Sequence, residues 1–226
     1  MKIFLSVMIS CLATTAMAQN ISMITVGRDV NTFVIGLDNN VSVYLSKDGN
    51  ISKWGYDKYV AAGLENYRDA LDTYAGRTEY YAAIDDSSFR GKLKYIGKDL
   101  LSWYASYDNE ALRGKLKSIG NISFDYYQAY DNKAFRGNIK MIGRQEVTWY
   151  ASYDNDALKG KLKSVGPTAF TWYTSLDDVA FRGKIKSIGN ASFTWYSSFD
   201  RPEYRGSLKS GIGSQYINGI KYILRN

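Results

Sequence analysis

The 226-residue chain has no histidine and only one cysteine. Without imidazole there is no Ser-His-Asp or Cys-His nucleophile pair, no His-ligated metal and no imidazole proton shuttle. The lone thiol, Cys11, lies near the start, so the body of the chain has neither disulfide nor thiol chemistry. No segment after residue 12 approaches about 18 unbroken apolar residues, which excludes a membrane-spanning helix there. What is abundant is apolar and aromatic: 45% of residues are hydrophobic, and 20 tyrosines outnumber 9 phenylalanines and 5 tryptophans. That composition rules out wholesale disorder and allows a sizeable core.

The first 18 residues read as a secretory signal peptide. Lys2 precedes an apolar run over residues 3–12, and Ala16-Met17-Ala18 supplies the small-residue cleavage site before Gln19. Cys11 would leave with this segment. Met8-Ile9-Ser10-Cys11 loosely resembles a lipoprotein box, but Leu12-Ala13 continue the apolar run where a polar tether is usual, so lipidation is the weaker reading. The expected location is extracytoplasmic: periplasm, cell surface or secreted.

A 23-residue repeat dominates the remainder. Gly91, Gly114, Gly137, Gly160, Gly183 and Gly206 keep this step, as do Gly97, Gly120, Gly143, Gly166 and Gly189. Aromatic pairs run in phase: Tyr80-Tyr81, Trp103-Tyr104, Tyr126-Tyr127, Trp149-Tyr150, Trp172-Tyr173 and Trp195-Tyr196. So do Asp85, Asp108, Asp131, Asp154, Asp177 and Asp200. Residue classes in register through six copies define a repeat protein. Within one unit, residues 115–119 read as a short strand, Gly120-Asn121 as a turn and residues 123–130 as an aromatic strand. A polar loop opens at Asp131-Asn132 and closes at Arg136-Gly137. Each unit is thus a β-hairpin.

Charge decides how hairpins stack. In a parallel solenoid, equivalent lysines such as Lys115, Lys161 and Lys184, or Lys117, Lys163 and Lys186, would sit about 4.8 Å apart in like-charged ladders. In an antiparallel meander they lie about 9.6 Å apart with an aromatic strand between, where a lysine stem can cross a ring and its charge can sit near the ring face. The expected fold is therefore all-β, an antiparallel β-hairpin repeat array forming an extended twisted sheet or curled roll.

Residues 19–79 form a different segment. Residues 22–27, 32–37 and 41–45 read as strands, with a turn at Asp48-Gly49-Asn50. Val60, Leu64, Tyr67, Leu71 and Tyr74 follow helical spacing, which allows a short helix over 58–75 or a degenerate repeat. Either form is expected to cap the open edge of the array. Residues 80–226 carry the six repeats, with a closing strand over 216–224. They hold 22 basic and 14 acidic side chains, against 6 and 8 in residues 19–79. The repeats are the basic part.

The stretch Tyr107-Asp108-Asn109-Glu110-Ala111-Leu112-Arg113-Gly114-Lys115-Leu116 loosely resembles the tyrosine-aspartate (YD, or Rhs-type) repeats of bacterial surface and toxin-encapsulating proteins, with a longer loop between Asp108 and Gly114. The basic-Gly-Lys-Ile/Leu-Lys-x-Ile-Gly strand followed by an aromatic pair is similar to small secreted β-repeat proteins of Gram-negative bacteria. These resemblances imply an extracytoplasmic β-rich array and bring no catalytic residue or cofactor.

Aromatic and basic residues interleave in a pattern suited to stacking on sugars and neutralising an anionic polymer. The plainer reading is that the rings pack the sheet and the lysines solvate it. Alternation places Trp172 with Phe170 and Leu176 on a core face and Tyr173 with Thr171 and Ser175 on the other. Candidate ligand contacts are then Tyr104, Tyr127, Tyr150, Tyr173 and Tyr196, with Lys115, Lys117, Lys161, Lys163, Lys184 and Lys186. The repeated aspartates lack the offsets of a calcium loop and read as loop-initiating residues. The recurrent Arg-Gly is explained by turn geometry. An outer-membrane barrel is disfavoured, because strands of five to eight residues fall below the ~9–11 needed. Export argues against nucleic acid as a partner despite the net charge of +7.

The expectation is an exported, non-enzymatic binding or structural module without metal or cofactor, with an anionic glycan or envelope polymer as ligand. The alternative is a spacer or adhesion scaffold acting through protein contacts.

Overall fold

The structure, a computed structural model, describes residues 21–27, 31–57 and 71–225. The leader with its cleavage site and Cys11 lies outside them, as does most of the 58–75 segment read as a helix; Leu71–Asp72 is a strand.

Two large antiparallel-rich sheets and one short strand pair occur among the described residues. Strands β1 (Ile21–Val26), β2 (Asn31–Gly36), β3 (Val41–Ser46), β4 (Ile51–Asp57) and β5 (Leu71–Asp72) run as a meander. The repeats supply β6 (Thr78–Tyr80), β7 (Leu93–Ile96), β8 (Asp99–Trp103), β9 (Leu116–Ile119), β10 (Ile122–Tyr126), β11 (Ile139–Ile142) and β12 (Gln145–Trp149). They continue through β13 (Leu162–Val165), β14 (Thr168–Trp172), β15 (Ile185–Ile188) and β16 (Ala191–Ser192). Strands β6 to β16 form one open 11-stranded sheet in chain order, every neighbour antiparallel. A short pair, β17 (Thr194–Trp195) with β18 (Leu208–Ser210), follows. Strands β19 (Ser214–Ile217) and β20 (Ile220–Leu224) then return to the first sheet, where β20 lies parallel to β1. The all-β antiparallel hairpin array expected from the lysine argument is the observed fold, and it does not close into a barrel.

Each hairpin turns through two residues. Ile119 pairs with Ile122 across Gly120-Asn121, and Val165 with Thr168 across Gly166-Pro167. Only the glycine is left-handed, with φ between 51 and 61° in the five copies. A left-handed first turn residue suits the right-handed strand twist and leaves the second position unconstrained. Lys98, Asn121, Arg144, Pro167 and Asn190 can therefore all occupy it.

The lysine strand does not alternate strictly. Leu116 and Ile119, three residues apart, are both buried, because a β-bulge intervenes. Trp103 pairs with Leu116 and Ser102 with Ser118, so Lys117 is the extra residue on its strand. The same shift recurs at Lys94, Lys140, Lys163, Lys186 and Lys209.

The core lies between the two sheets. Ile24, Phe33, Ile35, Val43 and Leu45 of the first meet Leu101, Leu116, Phe124, Trp149, Phe170 and Trp172 of the repeats. Phe33 packs edge-on to Trp149 at 6.3 Å and Tyr222 meets Phe170 at 5.7 Å. The Ile139 N–H donates to the Lys47 carbonyl at 2.8 Å. Residues 21–27 and 31–57 therefore cover the face of the array instead of capping its edge. A repeat sheet with one apolar face needs a second layer along its whole length, and an edge cap would leave that face wet. The closing segment is likewise a hairpin, turned at Asn218-Gly219, that joins this cover. Strand β4 adds to the strands read from the sequence. Leu176 is 92% exposed, not on the core face, because the strand ends at Trp172 and alternation lapses in the loop.

Candidate functional site: lysines at the bulges

The repeat lysines fall into two series with different surroundings. Lys92, Lys115, Lys161 and Lys184 precede the strand and are half-buried, each ammonium 4.5–4.9 Å from the ring of Trp103, Tyr126, Trp172 or Trp195. Lys115 donates to the backbone carbonyls of Gly137 at 2.9 Å and Asp48 at 3.2 Å, and Lys184 to the Gly206 carbonyl at 2.5 Å. Lys92 donates to Gly114 in the same way. Burial lowers the Lys92 ammonium below its ordinary value, with the Lys115 charge adding to it, and burial also lowers Lys115, partly opposed by Asp48. These amines tie one unit to the next. In the third unit Asn138 stands in this place, and its buried amide nitrogen has no partner.

The second series consists of the bulge residues. Lys117, Lys163, Lys186 and Lys209 are exposed, and Lys94 and Lys140 half-exposed. Their ammonium groups sit 5.3–5.7 Å from the ring centres of Tyr104, Tyr150, Tyr173, Tyr196, Tyr81 and Tyr127 respectively. A bulge re-aims one side chain without ending the sheet, and here it does so in every unit. Alongside run hydroxyl pairs at 2.6 Å: Ser102 with Ser118, Thr148 with Ser164, Thr171 with Ser187 and Thr194 with Ser210. The ion pairs Arg77 with Glu79, Lys98 with Asp38 and Lys159 with Asp156 do not involve this row.

The candidate tyrosines are half-buried. Tyr104, Tyr127, Tyr150 and Tyr173 donate their hydroxyls to the carbonyls of Phe124, Val147, Phe170 and Phe193, 20 residues on, at 3.0–3.2 Å. Burial pushes all four phenols above their ordinary value, with nearby carboxylates adding to it. Tyr196 stacks on Tyr204 at 5.4 Å. Each ring lies near a bulge lysine, and at Lys117, Lys163, Lys186 and Lys209 the ammonium-bearing side chain is the exposed member of the pair. Of the lysines singled out from sequence, Lys117, Lys163 and Lys186 belong to this outer row, and Lys115, Lys161 and Lys184 to the inner one. Lys94, Lys140 and Lys209 complete the outer row. The repeat period alone identifies them; at Lys140 and Lys209 the Lys-x-Lys pattern is broken by Asn138 and Ser207.

The six repeat aspartates fold the loops. Each carboxylate accepts the N–H three residues earlier, at 2.5–2.7 Å, from Ala82, Ala105, Gln128, Ala151, Thr174 and Ser197. The next side chain opens an Asx turn and reaches the following unit. Asn132, Asn155 and Asp178 accept the N–H groups of Ser152, Ser175 and Ser198 at 2.9–3.0 Å. No group of three or more potential metal ligands occurs among the described residues.

Asp86 shows how these bonds respond to acid. The Ser106 hydroxyl, helped by the Ser88 and Ser106 N–H groups, lowers its carboxyl from 3.8 to about 2. A carboxyl lowered on folding contributes stability above its unfolded value and loses it as pH falls through the folded one. The tie between the first two loops should therefore hold at pH 4 and loosen towards pH 2. An NMR titration of Asp86 should give a midpoint well below 3.8; a midpoint at 3.8 would contradict the tie.

Compared with known proteins, the chain matches no family model, no curated protein and no solved structure.

Proposed function

We propose that the protein is an exported, non-catalytic binding module for an extended anionic polymer, an acidic polysaccharide of the cell envelope, which lies along the bulge lysines. The observation that carries this reading is the row itself: six ammonium groups, one per unit, each turned out by a bulge and none ion-paired to an acidic side chain among the described residues. Equivalent positions two strands apart are about 9.6 Å from one another, close to the screening length of about 8 Å at physiological salt. Such a row is tolerable alone and attracts a polyanion of matching extension. Ring faces beneath the lysines restrict them beforehand, which lowers the ordering cost of binding. Hydroxyl pairs beside the row offer hydrogen bonds to sugar hydroxyls. The non-catalytic part is supported by the repeat carboxylates, which are spent on backbone N–H groups.

The test is binding to a polyuronate and to a neutral glucan over a salt series. Wild type should bind only the polyuronate, progressively more weakly as salt rises. Replacing Lys117, Lys163, Lys186 and Lys209 together by Gln should weaken binding at low salt by about tenfold or more, since exposed charge contacts contribute ~0.2–1 kcal/mol each. Absence of polyuronate binding, or a variant that binds as well as wild type, would overturn the proposal.

A further inference from the structure

The row of bulge lysines is not uniform along the array. Strands β6 to β12 carry Lys94, Lys117 and Lys140, but also Glu79, Asp99, Asp125 and Glu146. Strands β13 to β18 carry Lys163, Lys186 and Lys209 and no aspartate or glutamate. Hairpin turns add Lys98 and Arg144 to the first half, Lys98 being ion-paired with Asp38, and the uncharged Pro167 and Asn190 to the second. The loop aspartates recur in all six units, bonded to backbone N–H groups, so they do not distinguish one half from the other.

The hydroxyl pairs change at the same point. In the first half, two of the three places at this register hold Glu79 opposite Tyr95 and Asp125 opposite Met141. The pairs then run unbroken beside Lys163, Lys186 and Lys209. Asp125, Met141 and Glu146 are partners on three adjacent strands, so they form a bar across the outer face between Lys117 and Lys163. These carboxylates act on the rings beside the lysines. Burial raises the Tyr104 and Tyr127 phenols most, and Asp125 and Glu146 are the next causes. At Tyr150 and Tyr173 the contribution after burial comes from the loop aspartates Asp154 and Asp177 instead.

We infer, resting on the polymer reading above, that the second half of the row is the ligand site and the first half is not. Its occupant is a segment of acidic oligosaccharide whose charges on one edge meet Lys163, Lys186 and Lys209, two steps of about 9.6 Å in all. The unbroken hydroxyl pairs select a sugar chain over a bare polyanion, because they offer both donors and acceptors to neutral hydroxyls between the charges. An anionic chain continuing from Lys163 towards Lys117 has to pass Glu146 and Asp125, a like-charge juxtaposition that opposes docking. The bar therefore sets where the segment ends.

The experiment is calorimetric titration with long polyuronate and with uronate oligomers of increasing length, at physiological salt, where charges beyond about 8 Å are largely screened. It compares wild type with two variants that lose equal charge, Lys163→Gln/Lys186→Gln/Lys209→Gln and Lys94→Gln/Lys117→Gln/Lys140→Gln, and with Asp125→Asn/Glu146→Gln. All the replaced side chains lie on the outer face of the array, so circular dichroism should match wild type throughout. The second-half variant should bind polyuronate about tenfold more weakly, and the first-half variant less than about threefold. In wild type, affinity corrected for the number of registers should rise with oligomer length until three lysines are spanned and then level off. In Asp125→Asn/Glu146→Gln it should go on rising. Equal losses in the two lysine variants, a larger loss in the first-half variant, or wild-type affinity that climbs over all six units would each overturn the inference and leave the polymer reading standing. Failure of every protein to bind polyuronate overturns both.

Discussion

Trp149→Ala should destabilise the protein by about 3–5 kcal/mol in urea unfolding, a large share of the ~5–15 kcal/mol that holds a domain together. The indole is 3% exposed and bridges the two sheets through its edge-on contact with Phe33. Its Nε1 donates to the Ile139 carbonyl at 2.8 Å, a bond repeated at Trp103, Trp172 and Trp195, each to a carbonyl ten residues earlier. Truncation would open a cavity between layers and also leave a buried carbonyl lacking that donor. The second unit shows what the site accepts, because Tyr126 stands there and its hydroxyl reaches the Leu116 carbonyl at 2.8 Å. Trp149→Tyr should accordingly cost less than half as much as the alanine change. A Trp149→Ala loss below about 1 kcal/mol would contradict the two-layer core.

Alanine at Gly160 should cost about 2–4 kcal/mol, and at Gly91 only about 1–2. Both glycines have φ near 70°, so both substitutions force a side chain into the left-handed region. They differ in what lies nearby. A Cβ at Gly160 would come within 2.7 Å of the Ala134 carbonyl oxygen in the preceding loop, whereas one at Gly91 meets nothing within 4 Å. The difference between the two variants, read from denaturant midpoints, therefore isolates the close stacking of neighbouring loops from backbone strain. Equal losses would mean that the loops yield freely. The recurrent Arg-Gly is more than a turn: at Gly114, Gly160 and Gly206 the missing side chain also admits the carbonyl of the unit before.

Much of the array was legible in the sequence because its contacts are themselves periodic. Tyrosine hydroxyls reach 20 residues forward and inner lysines 22, so every tie between units repeats in step with the chain. The lysine argument for antiparallel strands works for the same reason: the ring that separates two like charges is part of the unit. The bulge was missed, although two aliphatics three apart at Leu116 and Ile119 mark it, a spacing that strict alternation does not allow. The covering sheet was not legible. Its key contacts, such as Phe33 on Trp149 and Tyr222 on Phe170, join a non-repeating segment to one member of a series, and nothing local marks which member. The exposure of Leu176 was hidden by the opposite fault. Leu176 follows a buried strand in the sequence, and only the loop's departure from strand geometry turns it outward.

The parallel seating of β20 beside β1 makes the number of units a fixed quantity. Open solenoids can gain or lose a module, since each module answers only to its neighbours. Here the chain must come back to where it began. One additional copy would carry the returning strand past its berth by the width of two strands, about 9.6 Å, and one fewer would stop it short. Drift in copy number, the ordinary way such genes diverge, is therefore closed to this molecule unless its lid is rebuilt to the new length.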